Sequence, residues 1–309
     1  MSESQRIETA DPAALDRLGV ALKAAAVRVD QTLDEVLPRP VGLHARAPEA
    51  MRYAVFAGGK RLRPFLTLAS AGLFEVPSAR ALRVAAAIEA LHTYSLVHDD
   101  LPCMDDDDLR RGRPTTHRQF DEATAVLAGD ALLTASFGIL ADPLTHPSGE
   151  VRAQLVAKLA EAGGSAGMIG GQMIDMLAPE RSYGEAEIIE LQALKTGALF
   201  EFACEAGAIL AGAGEADRQR LRDFARAFGL AFQIADDIID ATGDVEQAGK
   251  AVGKDRAQGK ATLVSLYGLD KARSEAARLA RAAADALSPY GPAADELRAL
   301  PFFLLDRAA

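Results

Sequence analysis

Residues 84–108 read VAAAIEALHTYSLVHDDLPCMDDDD, an apolar run that ends in six aspartates within ten residues, Asp99–Asp108. Val84, Ile88 and Leu91 recur at i, i+4 and i+7, the spacing that lines one face of a helix. Phe224, Phe228, Ala231, Phe232 and Ala235 repeat that spacing further along the chain. Turn-forming breaks fall at residues 37–42, 76–78, 142–149, 177–184, 212–215, 242–259 and 288–292. They leave room for helices of roughly 15–30 residues. No alternating strand of useful length and no βαβ rhythm is visible. The pattern predicts an all-α fold: a single domain over residues 1–309, about ten helices around one core, with residues 1–11 a flexible end.

Charge and composition narrow the partners. The 309 residues carry 34 basic and 44 acidic side chains, a net charge of −10, which is a poor match for a nucleic-acid backbone. The two cysteines, Cys103 and Cys204, form no Cys-x-x-Cys pair. That argues against a disulfide scaffold or a cysteine zinc cluster and favours a reducing, cytoplasmic setting. The longest stretch without Asp, Glu, Lys or Arg is residues 162–174, 13 residues. A membrane span needs ~18 or more apolar residues, so none is expected. Residues 1–11 are polar and lack the apolar core of a signal peptide. The chain contains no Asn, which excludes N-glycosylation and any Asn metal ligand.

A run of aspartates is most often a solvated loop. Here the run follows directly on a core-type helix, so it sits at the mouth of that helix. His92 and Asp99 are seven apart, within ~20° of each other on an ideal helix. Pro102 interrupts ordinary helical continuation, so Asp105 is expected to curl back from a turn. Concentrated carboxylates there suit a hard cation such as Mg²⁺. A second acidic set lies in FQIADDIID, residues 232–240. Asp236 and Asp240 share a helix face, with Gln233 one turn earlier. Facing each other across a helical cavity, the two sets could hold several Mg²⁺ ions and one polyanion, for which diphosphate is the natural candidate. Cations are also grouped: Lys60, Arg61 and Arg63 in GGKRLRP, Arg110 and Arg111 in LRRG, Lys195 beside Thr196, and Lys254 and Lys260 in GKDRAQGKAT. Arg grips phosphate bidentately and Lys acts as a point charge. Any one of these groups alone would read as ordinary surface charge.

Taken in order, the segments GGKRLRP (58–64), LHTYSLVHDDLPCMDDDDLRRGRPTTH (91–117), LAGDALL (127–133), GMIGGQMID (167–175), LKTGALF (194–200), FQIADDIID and GKDRAQGKAT (253–262) resemble the trans-isoprenyl diphosphate synthases, most closely the bacterial farnesyl type. The resemblance implies mostly antiparallel helices around a deep central cavity, usually in a homodimer. It implies condensation of isopentenyl diphosphate with an allylic diphosphate, supported by three Mg²⁺ ions per site, with Mn²⁺ able to substitute. By resemblance, Asp99 and Asp105 bind Mg²⁺ with Asp100 supporting, and Asp236 binds another with Asp237 and Asp240 assisting. Lys60, Arg63, His92 and Arg111 match the isopentenyl diphosphate site; Arg110, Lys195, Lys254 and Lys260 match contacts to the allylic diphosphate. Lys195, Thr196 and Gln233 match groups beside the developing carbocation. Tyr94 and Ser95 stand where product length is set. Gln172 and Asp175 match a family motif whose role, structural or in the site, is open. Three alternatives stand beside this reading: a terpene cyclase, disfavoured because positions 236, 240 and 244 are all Asp; a non-catalytic regulatory subunit; and a geranylgeranyl diphosphate synthase.

Overall fold

The computed structural model describes residues 12–178, 181, 183–242 and 262–306. Residues 1–11, Lys254 and Lys260 therefore lie outside the described residues. Among the described residues the chain is almost wholly helical. Helices α1 (Pro12–Val36), α2 (Arg46–Val55), α3 (Leu62–Gly72) and α4 (Ser78–Asp99) lead into the aspartate loop. Two short strands follow, β1 (Leu109–Arg110) and β2 (Arg113–Pro114), and then α5 (Thr116–Gln119), α6 (Glu122–Ala141), α7 (Gly149–Gly163), α8 (Met168–Leu177) and α9 (Glu185–Gln192). A π-helical turn, Ala193–Gly197, runs into α10 (Ala198–Ala211), and α11 is Glu215–Thr242. The chain closes with α12 (Leu263–Tyr267), α13 (Leu269–Ala286), a 3₁₀ turn Ser288–Ala294 and α14 (Asp295–Asp306).

The apolar run that opens the sequence argument is the central helix. Every residue from Val84 to Leu91 is 2 % exposed or less. Such a helix is apolar all round because neighbours cover it on every side. It packs against α6 and α3, with α1 and α10 completing the surround. The periodic phenylalanines of α11 join Phe200 of α10: Phe200 lies 5.1 Å from Phe228 and 5.4 Å from Phe232, edge on, and Phe224 stacks on Phe228 at 5.7 Å. On its other side α11 packs along α13 through Ala235, Ile238, Ala276 and Ala280.

Local signals set the helix ends. The Asp121 carboxylate caps α6 by accepting from Thr124 N at 2.7 Å, Ser148 caps α7, and Thr262 with Ser265 forms a reciprocal capping box on α12. Helix α6 is long and apolar enough to cross a bilayer by composition, with a mean hydropathy of 1.6. It reads instead as a core helix with one outward face: Ala125, Ala128, Leu132, Ser136, Ile139 and Leu140 are buried, while Val126 and Leu127 are exposed. The β-hairpin is consistent with the absence of any alternating strand of useful length, since strands of two residues carry no alternation to read.

Truncating Phe228 to Ala removes a fully buried ring from the junction of α10 and α11. We expect a loss of about 3–5 kcal/mol in unfolding free energy, read from urea denaturation of the purified protein.

Candidate active site

Helix α4 ends at Asp99, and the chain then turns back on it. Leu101 N donates to His98 O at 3.1 Å, Met104 N to Leu101 O at 2.9 Å, and Asp105 N to Asp99 O at 2.8 Å. The turn after Pro102 thus returns Asp105 to the helix end beside Asp99, as the proline predicts. Asp100 is 2 % exposed and is gripped on both oxygens by Arg110, with Nε at 2.7 and 2.9 Å and Nη2 at 2.5 Å. Both Asp100 oxygens are therefore committed to Arg110. Arg110 lies on the hairpin, opposite Arg113. Its two-residue turn is Arg111-Gly112, with φ of 53° and 75°, the left-handed pair that a tight hairpin of this twist requires. From that turn the Arg111 guanidinium donates to the Gly58 carbonyl. The hairpin therefore joins the aspartate loop to the GGKRLRP segment.

Burial pushes the Asp99 carboxyl up to about 6, and the neighbouring Asp105 and Asp100 add to it, against the pull of Lys195 and Arg110. A carboxyl in that state wants a cation. The described residues hold no preassembled cluster of three His, Cys, Asp or Glu ligands. The carboxylate oxygens of Asp99 and Asp105 nonetheless fit a hard divalent ion that brings phosphate oxygens as its remaining ligands.

Across the site stands a cationic shelf. Arg63 Nη1 lies 3.4 Å from His92 Nε2, and its guanidinium lies 4.7 Å over the Phe200 ring. Arg has no acceptor, so Nε2 must accept and the ring proton belongs on Nδ1. Burial draws Arg63 down to about 10, with Glu89 and Asp236 pulling the other way. Phe200, under the Arg63 guanidinium, packs edge-on against Phe232 of α11, the helix that carries the second aspartate motif. Burial and the arginines 63, 111, 110 and 61 hold His92 well below the ordinary histidine range, so it is neutral at pH 7. Arg63 Nε is buried with no partner in the protein, a donor left for a ligand. Lys60, three residues earlier, is exposed.

The third wall is the π turn. Such turns recur at functional sites because one extra residue re-aims the side chains they carry. Lys195 Nζ is 2.6 Å from Asp175 Oδ2 of α8, and Thr196 is 8 % exposed. Asp175 of the GGQxxD segment therefore holds Lys195, and Lys195 in turn lowers Asp99. Gly171 makes this approach possible, because a Cβ there would lie 2.2 Å from Lys195 N. On α11, Asp236 is exposed and Gln233, Asp237 and Asp240 are half-buried, while Ile234, Ala235, Ile238 and Ile239 face the core. Gln192 Nε2 approaches Asp237 Oδ2 at 3.5 Å. On α4, Tyr94 is 5 % exposed and lies edge-on to His98 at 5.6 Å; Ser95 Oγ donates to His92 O at 2.9 Å. Among the described residues, contacts join the first aspartate motif to the hairpin and the GGKRLRP segment, Arg63 through Phe200 to Phe232 of α11, the π turn to Asp175, and Gln192 to Asp237. Two contributors were missed. Arg61, grouped above with the surface-type cations, is a buried structural residue, and Glu89 is its partner. The available signal was Glu89 itself, a lone acid in an otherwise apolar run.

The site thus sets acidic and cationic side chains beside a group of packed phenylalanines. Comparison with known proteins is in accord. The polyprenyl synthetase family model matches residues 44–288. Farnesyl diphosphate synthase of Bacillus subtilis (strain 168) is 48% identical over 226 residues, 73% of this chain and 76% of that one. Chloroplastic geranylgeranyl pyrophosphate synthase of Capsicum annuum is 40% identical over 306 residues, 98% of this chain and 81% of that one. Among solved structures, an FPP/GFPP synthase from Zymomonas mobilis superposes with a TM-score of 0.85 at 48% identity, covering 93% of this chain and 98% of that one. The chain belongs to the polyprenyl synthetase family. It is a trans-prenyl diphosphate synthase, an enzyme that transfers prenyl groups, of a family that uses divalent metal ions.

The raised Asp99 has a measurable sign. Its folded form binds a proton that the unfolded form has already released between pH ~4 and ~6, so its contribution to stability falls as pH rises through that window. In metal-free protein, Asp99→Asn should therefore raise stability by about 1–2 kcal/mol at pH 7.5 and leave it unchanged near pH 4. Thermal melts at the two pH values check this; equal effects at both would remove the burial argument.

Proposed function

We propose that this prenyltransferase condenses isopentenyl diphosphate head to tail with dimethylallyl and then geranyl diphosphate, and stops at the fifteen-carbon farnesyl chain. The observation that carries the chain length is Tyr94, a bulky side chain buried in α4 five residues before Asp99, whose hydroxyl has no hydrogen-bond partner. It lies ~7.5 Å back from Asp99 along the helix. On this reading its ring meets the growing tail, and Ser95 beside it leaves the tail room to reach it. A twenty-carbon product is the second reading, supported by the 40% identical relative from Capsicum annuum.

The roles follow from charge. Lys60, Arg63, His92 and Arg111 hold isopentenyl diphosphate, with His92 a neutral ligand and no proton acceptor. Arg110 and Lys195 hold the allylic diphosphate, together with Lys254 and Lys260. Asp99, Asp105 and Asp236, with Asp100, Asp237 and Asp240 in support, would hold three Mg²⁺ ions that neutralise the departing diphosphate as Lewis acids. The Lys195 carbonyl, the Thr196 hydroxyl and the Gln233 amide oxygen stabilise the allylic cation without capturing it. Phe200 and Phe232 keep that side of the site dry. The isopentenyl double bond attacks, and the released diphosphate takes the proton that is then lost.

We further infer that residues 1–309 form one domain, that the enzyme works in the cytoplasm with both cysteines as thiols, and that it is a homodimer. Support for the dimer comes from a groove of about 550 Å³ lined by Pro38, His44, Met51, Leu127 and Ala131, with Leu43 fully exposed nearby in sequence. A monomer in sedimentation velocity would reject the dimer.

Product analysis tests the main reading: purified protein, Mg²⁺, isopentenyl diphosphate and dimethylallyl diphosphate should give farnesyl diphosphate. Tyr94→Ala should keep turnover and lengthen the product to twenty carbons or beyond; an active variant that still stops at fifteen would move the stop elsewhere. Chelation should abolish turnover, with Mg²⁺ restoring it. Asp236→Ala should cost about 10³-fold in kcat; a near-normal rate would make the second motif a solvated helix face.

A further inference from the structure

Glu89 is the one charged residue in the fully buried stretch of α4, and it is 2 % exposed. Its Oε1 accepts from Arg61 Nη1 at 2.5 Å. Arg61 is buried as well. Its Nε donates to Asp30 Oδ1 at 2.8 Å and its Nη2 to the Val55 carbonyl at 2.6 Å. All three nitrogens are thus engaged inside the protein, and none is offered to a substrate. Arg61 also adopts φ 48° and ψ 39°, the left-handed region that a non-glycine residue holds only when its surroundings compel it.

The position of this pair matters. Lys60 precedes Arg61 and Arg63 follows it by two residues, so the conformation of Arg61 decides where both cations stand. Glu89 lies one helical turn before His92. Its charge is also the leading attraction on Arg63 and on Arg111. One buried carboxylate therefore pairs with Arg61 and attracts two further guanidinium groups, those of Arg63 and Arg111. Without it, those cations would repel one another across a partly dry site whenever no anion is bound.

We propose that Glu89 and Arg61 are positioning residues for the isopentenyl diphosphate subsite: their buried ion pair fixes the Gly58–Arg61 turn and holds Lys60, Arg63 and Arg111 convergent on the substrate without touching it. This rests on the assignment of that subsite above. The pair acts chiefly on one substrate, because Lys60 and Arg63 flank Arg61 directly, whereas Arg110 is held by Asp100 and Lys195 by Asp175.

The test is steady-state kinetics of Glu89→Gln, which removes the charge and keeps the shape, with each substrate varied at saturating levels of the other. The KM for isopentenyl diphosphate should rise about 10- to 100-fold, while the KM for geranyl diphosphate stays within about twofold. An equal rise in both, or in neither, overturns the positioning role. If E89Q does not fold, the double variant Arg61→Met/Glu89→Met removes the pair without leaving a buried charge alone. A folded double variant with a raised KM for isopentenyl diphosphate supports the proposal, and one with the wild-type KM defeats it. The wild-type control separates the two levels: no condensation by the wild type takes down the functional assignment and this role with it, whereas equal KM effects in an active enzyme take down this role alone.

Discussion

The grip of Arg110 on Asp100 is the contact on which the rest of the site is built. A carboxylate buried at the end of a core helix is costly unless its lone pairs are satisfied. Arg110 satisfies both oxygens at once. Because Arg110 sits on a two-residue hairpin, the same ion pair fixes the return of the chain over residues 100–115. Arg111, next in line, then reaches the Gly58 carbonyl. One ion pair thereby ties together the end of α4, the hairpin and the turn before α3. Asp99 and Asp105, on either side of Asp100, take their places from it.

The same device recurs twice. Lys195 is held by Asp175 and Arg61 by Glu89, and in each pair the acid is nearly buried. These internal pairs anchor the frame, so the charges facing the mouth need not neutralise one another. Asp99 is accordingly raised and His92 lowered, opposite directions with one leading cause, the removal of water. A site in that condition is poised for a ligand that carries both signs, an anion accompanied by cations. It would bind either sign alone less well.

Much of this was legible in the residues. Periodicity located α4 and α11, because a helix buried on one face or on all faces must repeat its apolar positions. The aspartate clusters stood out by density, and Pro102 announced the turn that brings Asp105 back. The rest depended on tertiary contacts. The π turn at Ala193–Gly197 lies where α8 comes close enough at Gly171 to exclude a Cβ, and nothing within LQALKTG reveals it. The partner of Lys195 lies 20 residues away, and nothing local marks Asp175 as that partner. Arg61 was indistinguishable from its neighbours Lys60 and Arg63 until burial separated them.

Helix α4 also bears on how product length is set. It carries Asp99 at the mouth and Tyr94 behind it, so the spacing between them is a property of helix geometry and not of a loop. The helix is pinned as well. His98, between the two, donates from Nε2 to the Val126 carbonyl of α6 at 3.0 Å. It does so through a notch at Gly129, where a Cβ would come within 2.0 Å of the imidazole. A helix locked in this way cannot slide along its neighbour to lengthen the cavity. On the proposed reading, then, the length of the product is fixed by side-chain volume on a rigid element. Related enzymes could diverge in product by exchanging one residue at the floor while the ionisation chemistry at the mouth stays unaltered.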